Sequence, residues 1–419
     1  MRPIRPIPTV AAAERLARWA TALEPSQEDL ALARRSLLDT VAVMVAARDD
    51  PLAELLGRLG GEAGRWASLA HVLDYDDLHM PSTTHVSAVC VPAALAAAPV
   101  GGVEPARAYL AGAGVMARLG TALGWRHYRA GWHATCTAGA PAAAVSASVA
   151  RGLDAERTAV AMALAVPAAG GVQRAFGTAA KALQVGFAAE AGVRAATLSE
   201  AGASADVHAL DDWMALVGGE GAALDTSGPA VPNGLAIKLF PCCYALQRPI
   251  AAVVGIGPLP ERRVEHIRVR TPACSLAPLI HHRPRTGLEG KFSLEYGIAA
   301  ALLNGLPGID SFNDEAVRRA EAMRLVEAVE TVATEGGQHL LAGEIELEVT
   351  LADGSKLGTT LATAPGAPDR PPTDEELLTK LTLCAGAEAD TLAALTWESA
   401  GAYLRSGAFL HSGVDRVKA

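Results

Sequence analysis

The chain has 419 residues, of which half are hydrophobic and only 19% are charged. This composition excludes an intrinsically disordered protein, and the length allows two domains with separate cores. The formal net charge of -9 argues against a general nucleic-acid or anionic-membrane surface, because such surfaces depend on clustered Lys and Arg. We therefore expect an ordered protein that binds neither nucleic acid nor membranes.

The cysteines and the N-terminus bear on the cellular compartment. Apart from the adjacent Cys242 and Cys243, the six cysteines are scattered, and the sequence shows no CxxC pair and no secretory signal at its start. The most apolar stretches, residues 131–150 and 158–172, are rich in small residues and each contains a proline, so neither is typical of a membrane span. The sequence predicts reduced thiols and a cytoplasmic protein.

The first half of the chain has a helical pattern. Apolar positions recur at helical spacing as far as about Glu200, and the excess of Ala and Gly suits helices that pack at close range. One predicted helix has Ser26 as its N-cap, and another begins at Asp154 and ends near Pro167. Because no part of this region alternates with period two for long, the sequence predicts an all-helical domain over residues 1–257.

The pattern changes to that of strands after the Gly- and Pro-rich residues 256–260. Residues 266–270 alternate between apolar and polar side chains, as in a half-buried strand. The alternation is clearer over residues 344–351, and the turn residues 353–354 and the segment 356–361 complete a predicted hairpin.

Helices are predicted between and after these strands. Apolar spacing indicates helices over residues 292–303 and 314–329, and a capping box opens another helix at Thr373. The mixture of strands and helices predicts a smaller α+β domain over residues 258–390. Residues 391–419 are predicted to form a C-terminal helix that rejoins the helical domain.

A dense group of ionisable residues stands ahead of an apolar run, residues 89–100, that predicts a buried helix. The group consists of His71, Asp74, Asp76, Asp77, His79 and His85. A histidine near a carboxylate can act as a general acid or base near neutral pH. The same residue types bind metals, and in a loop they can also simply cap the helix and satisfy backbone donors. The spacing leaves these three interpretations open.

Three further segments carry candidate residues. His133 stands beside a tryptophan and is either a catalyst or a half-buried histidine with its hydrogen bonds satisfied. Lys181 and Lys238 lie in apolar segments, and since a buried ammonium is costly unless it is paired, each either reaches water or meets an anion. Residues 281–296 bring cations, glycines and a tyrosine to the head of a helix, or form a solvated basic loop.

Nucleotide-dependent chemistry is not expected from the motifs that the sequence lacks. We find no Walker-type loop, no GxGxxG after a strand, no GxSxG and no HExxH. Taken in chain order, however, five segments resemble the motifs of the MmgE/PrpD family, which contains 2-methylcitrate dehydratases, cis-aconitate decarboxylases and iminodisuccinate epimerases. These segments are residues 74–85, 131–133, 177–186, 238–244 and 291–296, and together they extend over most of the chain.

The resemblance implies a mainly α fold, a large all-helical domain with a smaller α+β lid domain, a homodimer, and an active site in the cleft between the domains. It implies no cofactor for most members of the family, although a metal has been discussed for some, and we expect neither a cofactor nor a metal here. By family analogy His85 is the acid/base residue with His133 beside it, Asp74 orients the first cluster, and Tyr296 reaches in from the lid. The substrate-binding residues that it implies are Lys181, Lys238, His79 and Lys291.

The activity implied is that of a cofactor-independent lyase, which eliminates water or CO2 from a small polycarboxylate by proton transfer α to a carboxylate. An epimerase or isomerase of the iminodisuccinate epimerase type is the first alternative, and residues 282–293 are more similar to that bacterial branch. A non-catalytic carboxylate-binding protein is the second alternative. Three positions depart from the family pattern: Leu78 replaces a common Thr or Val, and Gln184 and Gln247 each replace a His.

Overall fold

The structure is a computed structural model that describes residues 10–98, 104–176, 178–219, 224–259, 263–335 and 343–407. Within these residues the chain forms 19 α-helices and four β-strands, so the predicted mainly α fold is confirmed. None of these helices combines the length with the apolar character needed to cross a membrane. Parts of several predicted segments, residues 99–100, 177, 260 and 408–419, lie outside the described residues.

The chain divides into two compact units. The first comprises Met1–Val72, His79–Gly234 and Asp390–Ala419, and the second comprises Leu73–Leu78 and Leu235–Ala389. Residues 235–257 are predicted from the sequence to belong to the helical domain, but they lie in the second unit, because the helix at 247–256 packs against elements of that unit. The predicted domain boundaries and the lid role stay predictions.

The regular elements of the first unit are helices. They are α1 (Ala12–Thr21), α2 (Gln27–Ala46), α3 (Pro51–Leu56), α4 (Glu62–Val72), α5 (Ser87–Ala97), α6 (Pro105–Arg129), α7 (Ala134–Ala150), α8 (Ala155–Ala165), α9 (Ala180–Glu200), α10 (Ala209–Leu216) and, from the C-terminal segment, α19 (Trp397–Ser406). Where its described residues are extended, they form only isolated bridges, such as Trp132 with Val172.

Helix α7 lies at the centre of this unit. All of its residues are buried, and it packs against α5, α6, α8 and α9. A Cβ atom at Gly192 of α9 would lie 2.4 Å from the Cβ of Ala143 on α7, so only glycine permits this approach of the two helices. The Ala- and Gly-rich sequence thus gives close helix packing, as its composition indicates.

The predicted helix starts are confirmed by their caps. The Ser26 hydroxyl accepts a hydrogen bond from the backbone N–H of Asp29, whose carboxylate accepts one from the backbone N–H of Ser26. At α8 the carboxylate of Asp154 accepts from the backbone N–H of Arg157. Such caps satisfy backbone donors that the first helical turn leaves without intrahelical partners.

The described residues of the second unit form seven α-helices and one small sheet, and an eighth helix begins at its last residue. Its helices are α11 (Gln247–Ile256), α12 (Ala273–Leu276), α13 (Gly287–Gly290), α14 (Leu294–Asn304), α15 (Asp314–Arg318), α16 (Ala320–Ala328), α17 (Asp374–Ala385) and α18 (Ala389–Ala393), the last of which spans the chain boundary with the first unit. Thr373 caps α17 together with Glu376, which confirms the predicted capping box.

The sheet has the strand order β2-β1-β3-β4. Strand β1 (Val264–Pro272) runs parallel to β2 (Val329–Thr334) and antiparallel to β3 (Ile345–Leu351), which forms the predicted hairpin with β4 (Lys356–Leu361). The alternating apolar side chains of β1 and β3 are buried in the core of the unit.

The sequence predicts one continuous helix over residues 314–329, but the structure has two separate helices and the first residue of a strand there. The backbone becomes extended at Arg319, which separates α15 from α16, and Val329 already begins β2. The β-branched residues of β2 favour an extended backbone, and pairing with β1 fixes it. The sequence pattern missed this strand because its side chains are only partly buried and alternate weakly.

Candidate active site

Three imidazole rings of the first unit lie together. The ring centroids of His71 and His85 are 4.6 Å apart, edge to face, and those of His71 and His133 are 5.8 Å apart. His71 and His133 are buried, whereas His85 is partly exposed. We call these three residues the histidine cluster. The family resemblance gave roles to His85 and His133, whereas His71 was only a member of the ionisable group for which three interpretations were open.

Helix ends position the histidine cluster. His71 lies in the last turn of α4, His85 stands two residues before α5, and His133 is the N-cap residue of α7. The backbone N–H of His85 donates to the hydroxyl of Thr135 in the first turn of α7, at 3.1 Å. Helix α5 packs against both α4 and α7, so the ends of these three helices position the three rings.

Two polar side chains and one aromatic ring surround His133. Its Nδ1 atom lies 2.6 Å from Nε2 of Gln184 and 3.3 Å from Sγ of Cys136. The ring of Phe176 meets that of His133 edge to face at 4.9 Å. Burial raises the pKa of the Cys136 thiol, so this group stays protonated and unreactive at neutral pH.

Lys181 lies close to the same group. It is buried at the start of α9, and its Nζ atom is 5.6 Å from the centroid of the Phe176 ring that contacts His133. Its charge also acts on the Cys136 thiol, where it opposes the larger effect of burial on the thiol pKa. The structure thus places Lys181 next to two residues that contact His133, Phe176 and Cys136.

In the second unit, Lys238 is paired with Asp74. Its Nζ atom donates to the backbone carbonyl of Asp74 at 2.6 Å and to the Asp74 carboxylate at 3.2 Å. Burial alone would lower the pKa of Lys238, but the carboxylates of Asp74 and Asp76 outweigh it and raise that pKa. Of the two possibilities that the sequence left open, this lysine meets an anion, and the anion belongs to its own chain.

Two more buried lysines hold the same short segment. Lys291 donates to the carbonyl of Leu73 at 2.6 Å, and Lys380 donates to the carbonyls of Tyr75 and Lys238, each at 2.8 Å. Sequence reasoning missed Lys380, whose only signal is a cation on the otherwise ordinary helix α17. We call residues 73–75, together with Lys238, Lys291 and Lys380, the lysine-held segment.

Comparison with known proteins agrees with the motifs. The MmgE/PrpD N-terminal domain matches residues 65–218, and the MmgE/PrpD C-terminal domain matches residues 240–397. The chain belongs to the MmgE/PrpD family. It is also similar to cis-aconitate decarboxylase from Aspergillus terreus and to the protein of that name from A. terreus strain NIH 2624 / FGSC A1156. Each is 25% identical over an alignment of 376 positions that covers 80% of this chain and 76% of the relative. The predicted family is therefore confirmed.

Within this MmgE/PrpD chain, His79 has both ring nitrogens bonded to the protein. Nδ1 lies 2.7 Å from the hydroxyl of Ser82, and Nε2 lies 2.8 Å from the carbonyl of Pro232. The carbonyl can only accept, so Nε2 carries the proton and Nδ1 accepts from Ser82. Burial lowers the pKa of His79 to about 4. These contacts support a structural role, and the predicted contact with substrate stays a prediction.

Tyr296 and Gln247 also have partners within the second unit. The Tyr296 hydroxyl is buried and donates to the carbonyl of Ser311, and burial raises its pKa to about 12. The Gln247 side chain accepts from the backbone N–H groups of Leu239 and Phe240 and donates to the Phe240 carbonyl. Gln247 thus holds the chain that follows Lys238, and the predicted catalytic role of Tyr296 stays a prediction.

The histidine cluster has the components needed for proton transfer beside a carboxylate. Imidazole is the side chain whose ordinary pKa is nearest to neutral pH, and a nearby cation stabilises negative charge that develops on a substrate. The lysine-held segment has a different character, because its cations already meet a carboxylate and backbone carbonyls of the same unit.

Proposed function

We propose that this protein is a lyase that acts on a small polycarboxylate, of the dehydratase or decarboxylase type. The observation that carries the proposal is the histidine cluster with Lys181 beside it, in a chain of the MmgE/PrpD family. The relatives named cis-aconitate decarboxylase support a tricarboxylate or a similar small polycarboxylate as substrate. The expected homodimer, cytoplasmic location and independence of cofactors and metals stay predictions.

In the proposed reaction His85 moves the proton. As the partly exposed ring of the cluster, it is the one that solvent and substrate can reach. In a dehydration, His85 takes the proton α to a carboxylate, the C–H electron pair forms the double bond, and the C–O bond breaks. The departing hydroxide takes up the proton from the His85 imidazolium and leaves as water.

Decarboxylation uses the same residues in a different order. The bond between the carbon chain and one carboxylate breaks, CO2 leaves, and the electron pair remains on the chain. The His85 imidazolium then protonates that carbon. In both reactions Lys181 is proposed to bind a substrate carboxylate, because a desolvated ammonium gains most from meeting an anion.

The test is proton NMR of the purified protein in D2O with citrate, 2-methylcitrate, cis-aconitate, malate and iminodisuccinate. New vinyl signals from a hydroxylated substrate, or loss of CO2 from an unsaturated one, are expected. Exchange of an α-proton without a new product would favour the epimerase alternative. No change with any of these compounds, in a protein that folds normally, would overturn the lyase proposal in favour of a binding role.

A further inference from the structure

Gln184 makes three polar contacts that fix the orientation of its side-chain amide. Its Oε1 atom accepts from the backbone N–H of Val172 at 3.0 Å, and its Nε2 atom donates to the carbonyl of Val172 at 3.3 Å. Nε2 also lies 2.6 Å from Nδ1 of His133. Exchanging the two amide atoms would set N–H against N–H and oxygen against oxygen at Val172, so the hydrogen-bond network admits one orientation.

That orientation determines which nitrogen of His133 carries the proton. The Gln184 nitrogen can only donate, so Nδ1 of His133 accepts, and the proton of the neutral ring is on Nε2. The second neighbour of Nδ1, the protonated thiol of Cys136 at 3.3 Å, is compatible with the same assignment. An imidazolium at His133 would instead place an Nδ1–H group against the amide N–H of Gln184.

We propose that Gln184 is a positioning residue that keeps His133 neutral, with its proton on Nε2, so that His133 acts as a hydrogen-bond donor and does not carry the proton in turnover. The inference rests on the proposed function for its catalytic consequence. A neutral imidazole can stabilise the negative charge that develops on a substrate carboxylate through its N–H group. Proton transfer then falls to His85. A histidine at position 184 would not fix the donor in this way.

The first experiment determines the tautomer of His133 and does not depend on turnover of a substrate. Long-range proton–nitrogen NMR of the full-length protein, with the His133 signals assigned by their loss in His133→Gln, should show an unprotonated Nδ1 and a protonated Nε2 from about pH 6 to pH 8. In Gln184→Glu the carboxylate should accept from Nδ1–H and reverse this pattern. A protonated Nδ1 in the wild-type protein, or an unchanged pattern in Gln184→Glu, would overturn the proposal.

A matched control separates the ring contact from local structure. Gln173 lies in the same loop region and donates to the carbonyls of Tyr128 and Trp132, and these bonds do not involve an imidazole. Gln173→Glu should therefore leave the His133 tautomer as in the wild type. If both substitutions moved the proton equally, the effect would come from the disturbed loop, and the specific role of Gln184 would be refuted.

The second experiment uses kinetics. The side-chain nitrogen of Gln can occupy roughly the place of the histidine Nε2 atom, so His133→Gln should keep at least about ten times the kcat of His133→Ala, because one such donor contributes about 100- to 1000-fold. Equal loss in the two variants would mean that His133 carries a proton. If the NMR result holds but no substrate is turned over, the proposed function fails while the tautomer assignment stands.

Discussion

His79 is expected to make the stability of the protein depend on pH. Burial lowers its pKa from 6.5 to about 4, with the charge of Arg118 adding to the effect and the hydrogen bond to Pro232 opposing it. Because the folded-state pKa lies below the unfolded value, unfolding takes up a proton at acidic pH. The stabilisation is therefore present above about pH 6.5 and is lost as the pH falls towards 4.

The magnitude follows from the size of the shift. Each pKa unit corresponds to about 1.4 kcal/mol, so His79 alone should lower the free energy of unfolding by about 2 kcal/mol between pH 7 and pH 5. In His79→Gln the amide can still donate to the Pro232 carbonyl, but the titration is gone. This variant should lose about 1 kcal/mol at pH 7 and then depend less steeply on pH.

Urea unfolding followed by circular dichroism, at pH 7 and at pH 5, measures both values. His281→Gln is the control, because the His281 side chain is partly exposed and forms no hydrogen bond or ion pair with the described residues. It should retain the wild-type dependence on pH. Parallel pH dependences for wild type and His79→Gln would refute the reasoning. They would mean that His79 titrates freely in the folded protein and is open to a substrate after all.

Three further predictions test the site and the packing. His85→Ala should abolish turnover while the circular dichroism spectrum and Tm stay unchanged; wild-type turnover in the folded variant would exclude His85 from the mechanism. Lys238→Met should lower the free energy of unfolding in urea by about 3–5 kcal/mol, because it removes the cation that pairs with the buried Asp74 carboxylate. Adding Asp74→Asn should recover most of that loss, because Asn tolerates the positive φ of 54° at this position. Equal stability of the single and double variants would contradict the pairing of Lys238 with Asp74. Gly192→Val should lower the free energy of unfolding by about 1–3 kcal/mol, because its side chain overpacks against α7. The control is Gly255→Ala, whose added Cβ meets no atom within 4 Å and should not destabilise the protein. Equal effects of the two substitutions would contradict the close approach of α9 and α7.

The elements that the sequence predicted well are those fixed by local signals. Ser26 and Thr373 cap their helices through residues three positions away, and the β3–β4 hairpin follows from alternation on both sides of a short turn. Strand β2 was missed because its conformation depends on pairing with β1, which is about 60 residues distant in the chain. Local propensity carries little information about such pairing.

The candidate site shows the same division between local and distant information. His85 and His133 could be selected because their motifs are short and resemble those of the family. The roles of His71 and Gln184 could not, because each depends on a contact between separate helices: the His71 ring meets that of His133, and Gln184 meets His133 across 51 positions of sequence. From the sequence, Gln184 was only a departure from the family pattern, whereas its contacts make it a candidate determinant of mechanism.

The lysines narrow the question of which cation meets the substrate. From the sequence, Lys181, Lys238 and Lys291 were equivalent candidates for binding a carboxylate. In the structure Lys238 meets the carboxylate of Asp74 and Lys291 meets a backbone carbonyl, so recruiting either to a substrate would require it to give up a buried partner. Lys181 instead lies beside the aromatic ring that contacts His133. Its position next to the aromatic ring that contacts His133 therefore favours Lys181 as the residue that binds the polycarboxylate next to the imidazoles.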